Sequence, residues 1–146
     1  MKLLLPVLTA SLLAACSTYD GPTRFDLAGK MAPLVKNKSN ILITEVPDAG
    51  NTLSNGMLLM MQGGGGAASN AAIGITNILS KPGLELGISG RSESVTVATL
   101  KRALQDFQGQ SDATLYLFAS PQNAAELKAI AAPKGITIHA LGRVYN

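Results

Sequence analysis

Residues 114–121 read Thr-Leu-Tyr-Leu-Phe-Ala-Ser-Pro, and this stretch decides the fold class. Side chains alternate between the two faces of a strand, so Tyr116 and Phe118 share one face while the two leucines share the other. Both faces are apolar, as in a parallel sheet that is covered on both sides. The closing Ser-Pro pair supplies the N-cap and the first position of a helix. The stretch therefore predicts a buried parallel strand that leads directly into a crossover helix.

Three more strands are predicted on either side of this one, over 41–46, 84–89 and 136–141. Each is rich in aliphatic residues and is bounded by turn-forming residues. Helical segments lie between them, which favours right-handed crossovers between parallel neighbours. We therefore expect a small α/β domain, built as a mainly parallel four-stranded sheet with crossover helices in a Rossmann-like three-layer arrangement.

The predicted helix before the quoted strand carries apolar residues at spacings of three and four, namely Val97, Leu100, Leu104 and Phe107. This spacing is typical of an amphipathic helix with one side in the core. Ser92 or Ser94 is expected to serve as its N-cap, and the helix is expected to stop near Gly109. The helix after the quoted strand is expected to stop at Pro133 and Gly135.

Residues 49–80 contain no charged side chain and include four consecutive glycines. Each glycine inside a helix costs about 1 kcal/mol relative to alanine, so two helical pieces are predicted, over 53–62 and 68–80. A candidate partner surface in this segment comprises Met57, Met60, Met61, Gly64 and Gly65. Methionines make adaptable contacts, and glycines supply a hinge. The alternative interpretation is that these methionines fill the core.

A second candidate site follows the predicted strand 84–89, where a loop rich in serine leads into a helix. Backbone N–H groups at a helix N-terminus bind anions, and this loop adds hydroxyls and a guanidinium. The candidate anion-binding residues are Ser89, Arg91, Ser92 and Ser94. The string 88–94 resembles the serine-rich phosphosugar loop of sugar isomerase domains. Ordinary helix capping by the same serines is the alternative interpretation.

No catalytic, metal or cofactor site is predicted. His139 is the only histidine and lies in a predicted strand, so the usual metal-ligand clusters are missing. The string Gly87-Ile88-Ser89-Gly90 differs from the G-x-S-x-G nucleophile elbow because its second glycine comes one position early. The chain also has neither a dense basic stripe nor interleaved aromatic residues, which argues against a nucleic-acid partner.

The first sixteen residues have the pattern of a secretory signal, with Lys2 followed by an apolar run that is shorter than the ~20 residues needed to span a bilayer. Their last four residues, Leu13-Ala14-Ala15-Cys16, resemble the lipobox of bacterial lipoproteins, and Cys16 is the only cysteine. The resemblance implies cleavage before Cys16, lipidation of its sulfur, and attachment to a membrane. In such lipoproteins an aspartate directly after the lipidated cysteine favours retention in the inner membrane. By this resemblance, Ser17 at that position implies the outer membrane.

The expected organisation is a signal peptide over 1–15, a lipid anchor and tether over 16–39, and one α/β domain over 40–146. The expected function is that of an outer-membrane lipoprotein, a non-enzymatic binding or assembly component of an envelope or secretion system. Its expected partners are the lipid membrane, through Cys16, and an envelope protein or a second copy. The alternatives are a periplasmic small-anion-binding module or hydrolase that uses the strand ends, and insertion of 49–80 into a bilayer or oligomer.

Overall fold

The computed structural model describes residues 21–48 and 68–142. Four strands form one sheet: β1 (Ile41–Val46), β2 (Glu85–Gly90), β3 (Thr114–Phe118) and β4 (Thr137–Leu141). All neighbouring pairs are parallel, and the order across the sheet is β1-β2-β3-β4. The predicted small α/β fold is confirmed, and each strand boundary lies within one residue of its predicted position.

Among the described residues, four α-helices accompany the sheet: α1 (Arg24–Met31), α2 (Asn70–Ile78), α3 (Glu93–Asp106) and α4 (Pro121–Ala131). Short 3-10 helices lie at Lys38–Asn40 and Ala132–Lys134. Each of α2, α3 and α4 begins with a serine N-cap whose hydroxyl accepts a hydrogen bond from a backbone N–H three residues further on. These caps are Ser69, Ser92 and Ser120. The cap of α3 is therefore Ser92 rather than Ser94. The helical piece predicted over 53–62 lies outside the described residues.

The main core lies between the sheet and helices α2 to α4. Because the strands are ordered as in the chain, right-handed crossovers place all three helices on the same face. Leu86, Ile88, Leu115 and Leu117 face them from the two central strands. The four apolar positions predicted for α3 are all buried in this cluster, with Leu100 and Leu104 fully inaccessible.

Helix α1 forms the third layer, on the opposite face of the sheet. Leu27 and Met31 are buried there against Tyr116 and Phe118. They fit because Gly87 has no side chain: a Cβ at that position would lie 2.8 Å from the Met31 sulfur and 3.0 Å from Leu27 Cδ2.

The expected tether over 16–39 is thus too long, because residues from Thr23 onward belong to the folded domain. Thr23 and Asp26 form a reciprocal capping box that starts α1. Phe25, on the outer side of α1, is exposed. In the described ranges, the structure contains no helix with the length and apolar character needed to cross a membrane.

Candidate functional site

The carboxyl edge of the sheet is where a parallel α/β fold ordinarily binds its ligand. All four strands end at this edge, and α2, α3 and α4 begin there. In open sheets the binding crevice opens where the strand order reverses. The order β1-β2-β3-β4 has no reversal among the described strands, so this edge lacks that crevice.

The four predicted anion-binding residues are only partly brought together. Ser89 lies in β2 and is buried, whereas Arg91 is exposed. The Ser92 hydroxyl accepts a hydrogen bond from the Val95 N–H at 3.3 Å, and the Ser94 hydroxyl lies 3.0 Å from it. The Ser92 hydroxyl is therefore engaged in capping α3, as the alternative interpretation states, and the Ser94 hydroxyl is its hydrogen-bond neighbour.

Glu93, which the sequence analysis did not select, occupies the neighbouring helix start. Its Oε1 atom accepts hydrogen bonds from the Ser120 N–H at 2.6 Å and from the Asn123 side-chain amide at 2.8 Å. A carboxylate at the N-terminus of α4 interacts favourably with the helix dipole. Its negative charge also repels an external anion from the start of α4.

The start of α3 approaches the end of β2 very closely. A Cβ added to Gly90 would lie 1.9 Å from Thr96 Oγ1, well inside van der Waals contact. Thr96 is buried, and its hydroxyl has no hydrogen-bond partner among the described residues. The close approach of the two elements therefore depends on glycine at position 90.

Substituting Gly90→Ala should lower the free energy of unfolding by about 1–3 kcal/mol, because the new methyl group overpacks the site. Denaturant melts of Gly90→Ala, Thr96→Ala and the double variant measure this effect. The double variant should be more stable than the sum of the single losses predicts, because Thr96→Ala removes the clashing hydroxyl. Strictly additive losses would show that Thr96 does not set the constraint.

A cavity of about 230 Å³ lies at the end of β1. Its walls come from the end of that strand, the first turn of α2 and the first two turns of α3. Val46 and Val95 contribute apolar surface, and the Ser69 hydroxyl in the wall caps α2. Asp48 is the one charged residue among the described residues of the lining, so the cavity suits an apolar group better than an anion.

The described residues do not assemble a catalytic set around His139. Its ring stacks on Tyr116 with a centroid separation of 5.2 Å and an interplanar angle of 10°. Ser89 lies two strands away, a separation of roughly 10 Å at the usual interstrand spacing, with β3 in between. Nor do three His, Cys, Asp or Glu side chains converge on a metal position within 21–48 and 68–142.

Glu85, which the sequence analysis did not select, is a buried acid of strand β2. It is only 4% exposed. It accepts hydrogen bonds from the Tyr116 hydroxyl at 2.6 Å and from the backbone N–H groups of Lys36 and Asn37, both at 3.1 Å. These bonds hold the segment after α1 against the sheet.

The pKa values of this pair shift in opposite directions. Burial disfavours the charged carboxylate, but hydrogen bonds from Tyr116, Asn37 and Lys36 and the charge of Lys36 outweigh it, so the pKa of Glu85 lies below its ordinary value. Burial, followed by the hydrogen bond to Glu85 and the charge of that carboxylate, raises the pKa of Tyr116. Glu85 is therefore held ionised and Tyr116 neutral, which suits a structural latch.

An exposed apolar surface lies on strand β1, and we call it the β1 edge. It consists of Ile41, Leu42 and Ile43, which are 40%, 40% and 39% exposed. Among the described strands, β1 pairs only with β2, so its other side is an open sheet edge. Three consecutive exposed aliphatic residues on an open edge offer a surface for contact with another protein strand.

The remaining predicted site residues lie outside the described residues: Cys16, Met57, Met60, Met61, Gly64 and Gly65. Comparison of the chain with protein-family models, with curated proteins and with solved structures finds no match.

Proposed function

We propose that this chain is an outer-membrane lipoprotein that acts as a non-enzymatic binding or assembly component of a bacterial envelope or secretion system. The observation that carries the proposal is the string Leu13-Ala14-Ala15-Cys16, which places the only cysteine of the chain where a lipobox requires it. Stable anchoring needs more than one acyl chain, and a lipoprotein cysteine supplies them.

The early start of the folded domain supports a role close to the membrane. Only residues 17–23 separate Cys16 from α1, which begins at Arg24. A chain of this length spans at most roughly 25 Å, because each residue extends by no more than about 3.6 Å. The domain is thereby kept near the bilayer, where neighbouring envelope proteins are within reach.

The geometry of the described residues favours binding of a protein over the alternative of a small anion or a hydrolytic reaction. Ser92 and Ser94 are engaged at the α3 cap, and Glu93 occupies the start of α4. Ser89 and His139 are separated by a strand. The β1 edge, in contrast, offers exposed aliphatic side chains of the kind that proteins bury in each other.

Metabolic labelling with a fatty-acid analogue tests the anchor. The parent chain should be labelled and should sediment with outer-membrane vesicles, whereas Cys16→Ser should lose the label completely because the acceptor sulfur is gone. Ser17→Asp is the matched control, since it should keep the label but sediment with the inner membrane. Equal labelling of the parent and Cys16→Ser would contradict the proposal.

A further inference from the structure

We propose that the β1 edge pairs with the same edge of a second copy of this chain, antiparallel and about a two-fold axis, so that the two sheets join into one. This inference rests on the proposed assembly role and names the partner and surface that serve it. An antiparallel edge-to-edge pair is isologous, so it closes as a dimer and does not continue into a fibre.

The first argument is that residues 41–44 of this edge lack the features that prevent strand pairing, and the one charged residue of β1, Glu45, lies near its end. Proteins protect edge strands with charged residues, proline, bulges or short length. Residues 41–44 read Ile-Leu-Ile-Thr, without a charge or a proline. Pairing with β2 continues without a bulge from Ile41 to Val46, so the outer edge is regular. The opposite edge, β4, has no large apolar side chain exposed within its described length.

The second argument concerns the two faces of the strand. Successive side chains of a strand point to opposite faces, so Ile41 and Ile43 lie on the α1 face and Leu42 on the other. All three are nonetheless exposed to the same extent. A partner that docks on one face of the sheet leaves the other face uncovered. An added strand supplies neighbours to both faces at once, as strand addition does in other complexes.

The third argument is charge complementarity. Exposed Lys36 and Lys38 precede the strand, while Glu45 and Asp48 lie at its end. The ion pairs observed in the described residues, Lys101–Glu126 and Arg102–Asp106, involve none of these four. An antiparallel second copy places the basic end of each strand beside the acidic end of the other. A parallel copy places like charges together, which is unfavourable.

The apolar residues also select a register. With Leu42 on the two-fold axis, Leu42 faces its own copy and Ile41 faces Ile43 of the second copy. Directly opposed side chains in such pairs have Cβ atoms about 4.5–5.5 Å apart, close enough to pack. A cysteine at position 42 would meet itself at a separation compatible with a disulfide.

A single introduced cysteine tests the pairing in the full chain, in native membranes. Under the proposed function the natural Cys16 sulfur carries lipid, so the added thiol is the one available for a disulfide. Leu42→Cys should give a reducible dimer under mild oxidation. The parent and the matched control Thr137→Cys, on the exposed β4 edge, should stay monomeric. Ile41→Cys expressed together with Ile43→Cys gives a second route to the same crosslink.

Charge reversal provides a second test. Every variant compared carries the same cysteine, so any local effect of that cysteine is the same in all of them. In the Leu42→Cys background, Lys38→Glu or Glu45→Lys alone should lower the dimer fraction about fivefold, as expected for loss of paired surface charges. The double reversal should restore it, because the two strand ends that lie side by side again carry opposite charges. Both residues are exposed, so neither change disturbs the core.

A monomeric Leu42→Cys thiol that reacts freely with maleimide would overturn the proposal, because the edge would be open. A thiol that is protected but not crosslinked would also overturn it, since another chain would then cover the edge. Fractionation in the same experiment separates this inference from the proposed function. A dimer outside the outer membrane contradicts the anchor alone, and an outer-membrane monomer contradicts the pairing alone.

Discussion

Replacing Glu85 by alanine should lower the free energy of unfolding by about 3–5 kcal/mol and release the segment after α1 from the sheet. The change leaves the Tyr116 hydroxyl and the N–H groups of Lys36 and Asn37 without their acceptor in a buried site. Hydrogen bonds to charged groups contribute about 1.5–3 kcal/mol each, and unpaired buried donors add a desolvation penalty. Denaturant melts and amide exchange over 34–37 measure the two effects.

Tyr116→Phe is the matched control, because it removes one donor and keeps the carboxylate and its backbone partners. Its cost should be about 1–3 kcal/mol, clearly below that of Glu85→Ala. Equal losses in the two variants, or unchanged exchange over 34–37 in Glu85→Ala, would show that the carboxylate does not latch the segment.

The same latch predicts how stability depends on pH. The pKa of Glu85 is lower in the folded state than its ordinary value of 4.5, so its contribution is complete above that value and is lost as the pH falls through the folded pKa. The capping-box hydrogen bonds from Thr23 lower the pKa of Asp26 in the same way. Tyr116 behaves oppositely: its raised pKa makes stability fall as the pH rises above 10. Glu85→Gln removes this titrating group. The difference between the free energies of unfolding of Glu85→Gln and the parent, measured as a function of pH, therefore isolates the loss of stability at acidic pH that is due to Glu85.

Leu104→Ala should cost about 2–5 kcal/mol, because it deletes a fully buried side chain and leaves a cavity between α3 and the sheet. Gln105→Ala is the matched control on the same turn of α3, since Gln105 is exposed and its truncation should change stability by no more than about 0.5 kcal/mol. Denaturant melts of both variants provide the test. A Leu104→Ala loss below about 1 kcal/mol would mean that this face of α3 is not in the core.

Local pattern was sufficient for most of the fold. Strand β1 begins and ends at the predicted residues, and the three serine caps and the start of α4 at Pro121 are properties of a few adjacent residues. The alternation of apolar residues in strands, and their spacing of three and four in helices, identify the buried face of each element without knowledge of what packs against it. The parallel order followed because each predicted strand was separated from the next by a helix.

The candidate site was less predictable, because its residues act through partners far away in the chain. Glu93 bonds to the start of a helix that lies 27 residues further on. That contact places a carboxylate beside the predicted anion loop, at the start of α4. The exposure of the β1 edge likewise depends on which strand ends the sheet and on which face each helix covers.

The sequence by itself determined where the four strands and helices α2 to α4 form, because hydrophobic period, capping residues and turn residues act over one or two turns of chain. Only the tertiary structure decided that α1 belongs to the domain, since its place depends on the space above Gly87 between β1 and β3. It also decided that Glu85 is buried, through donors 31 to 49 residues away in the chain. A charged residue in a strand can face solvent or be buried among hydrogen-bond donors, and the strand sequence is the same in both cases. Burial is stabilised by hydrogen bonds that exist only after the chain has folded.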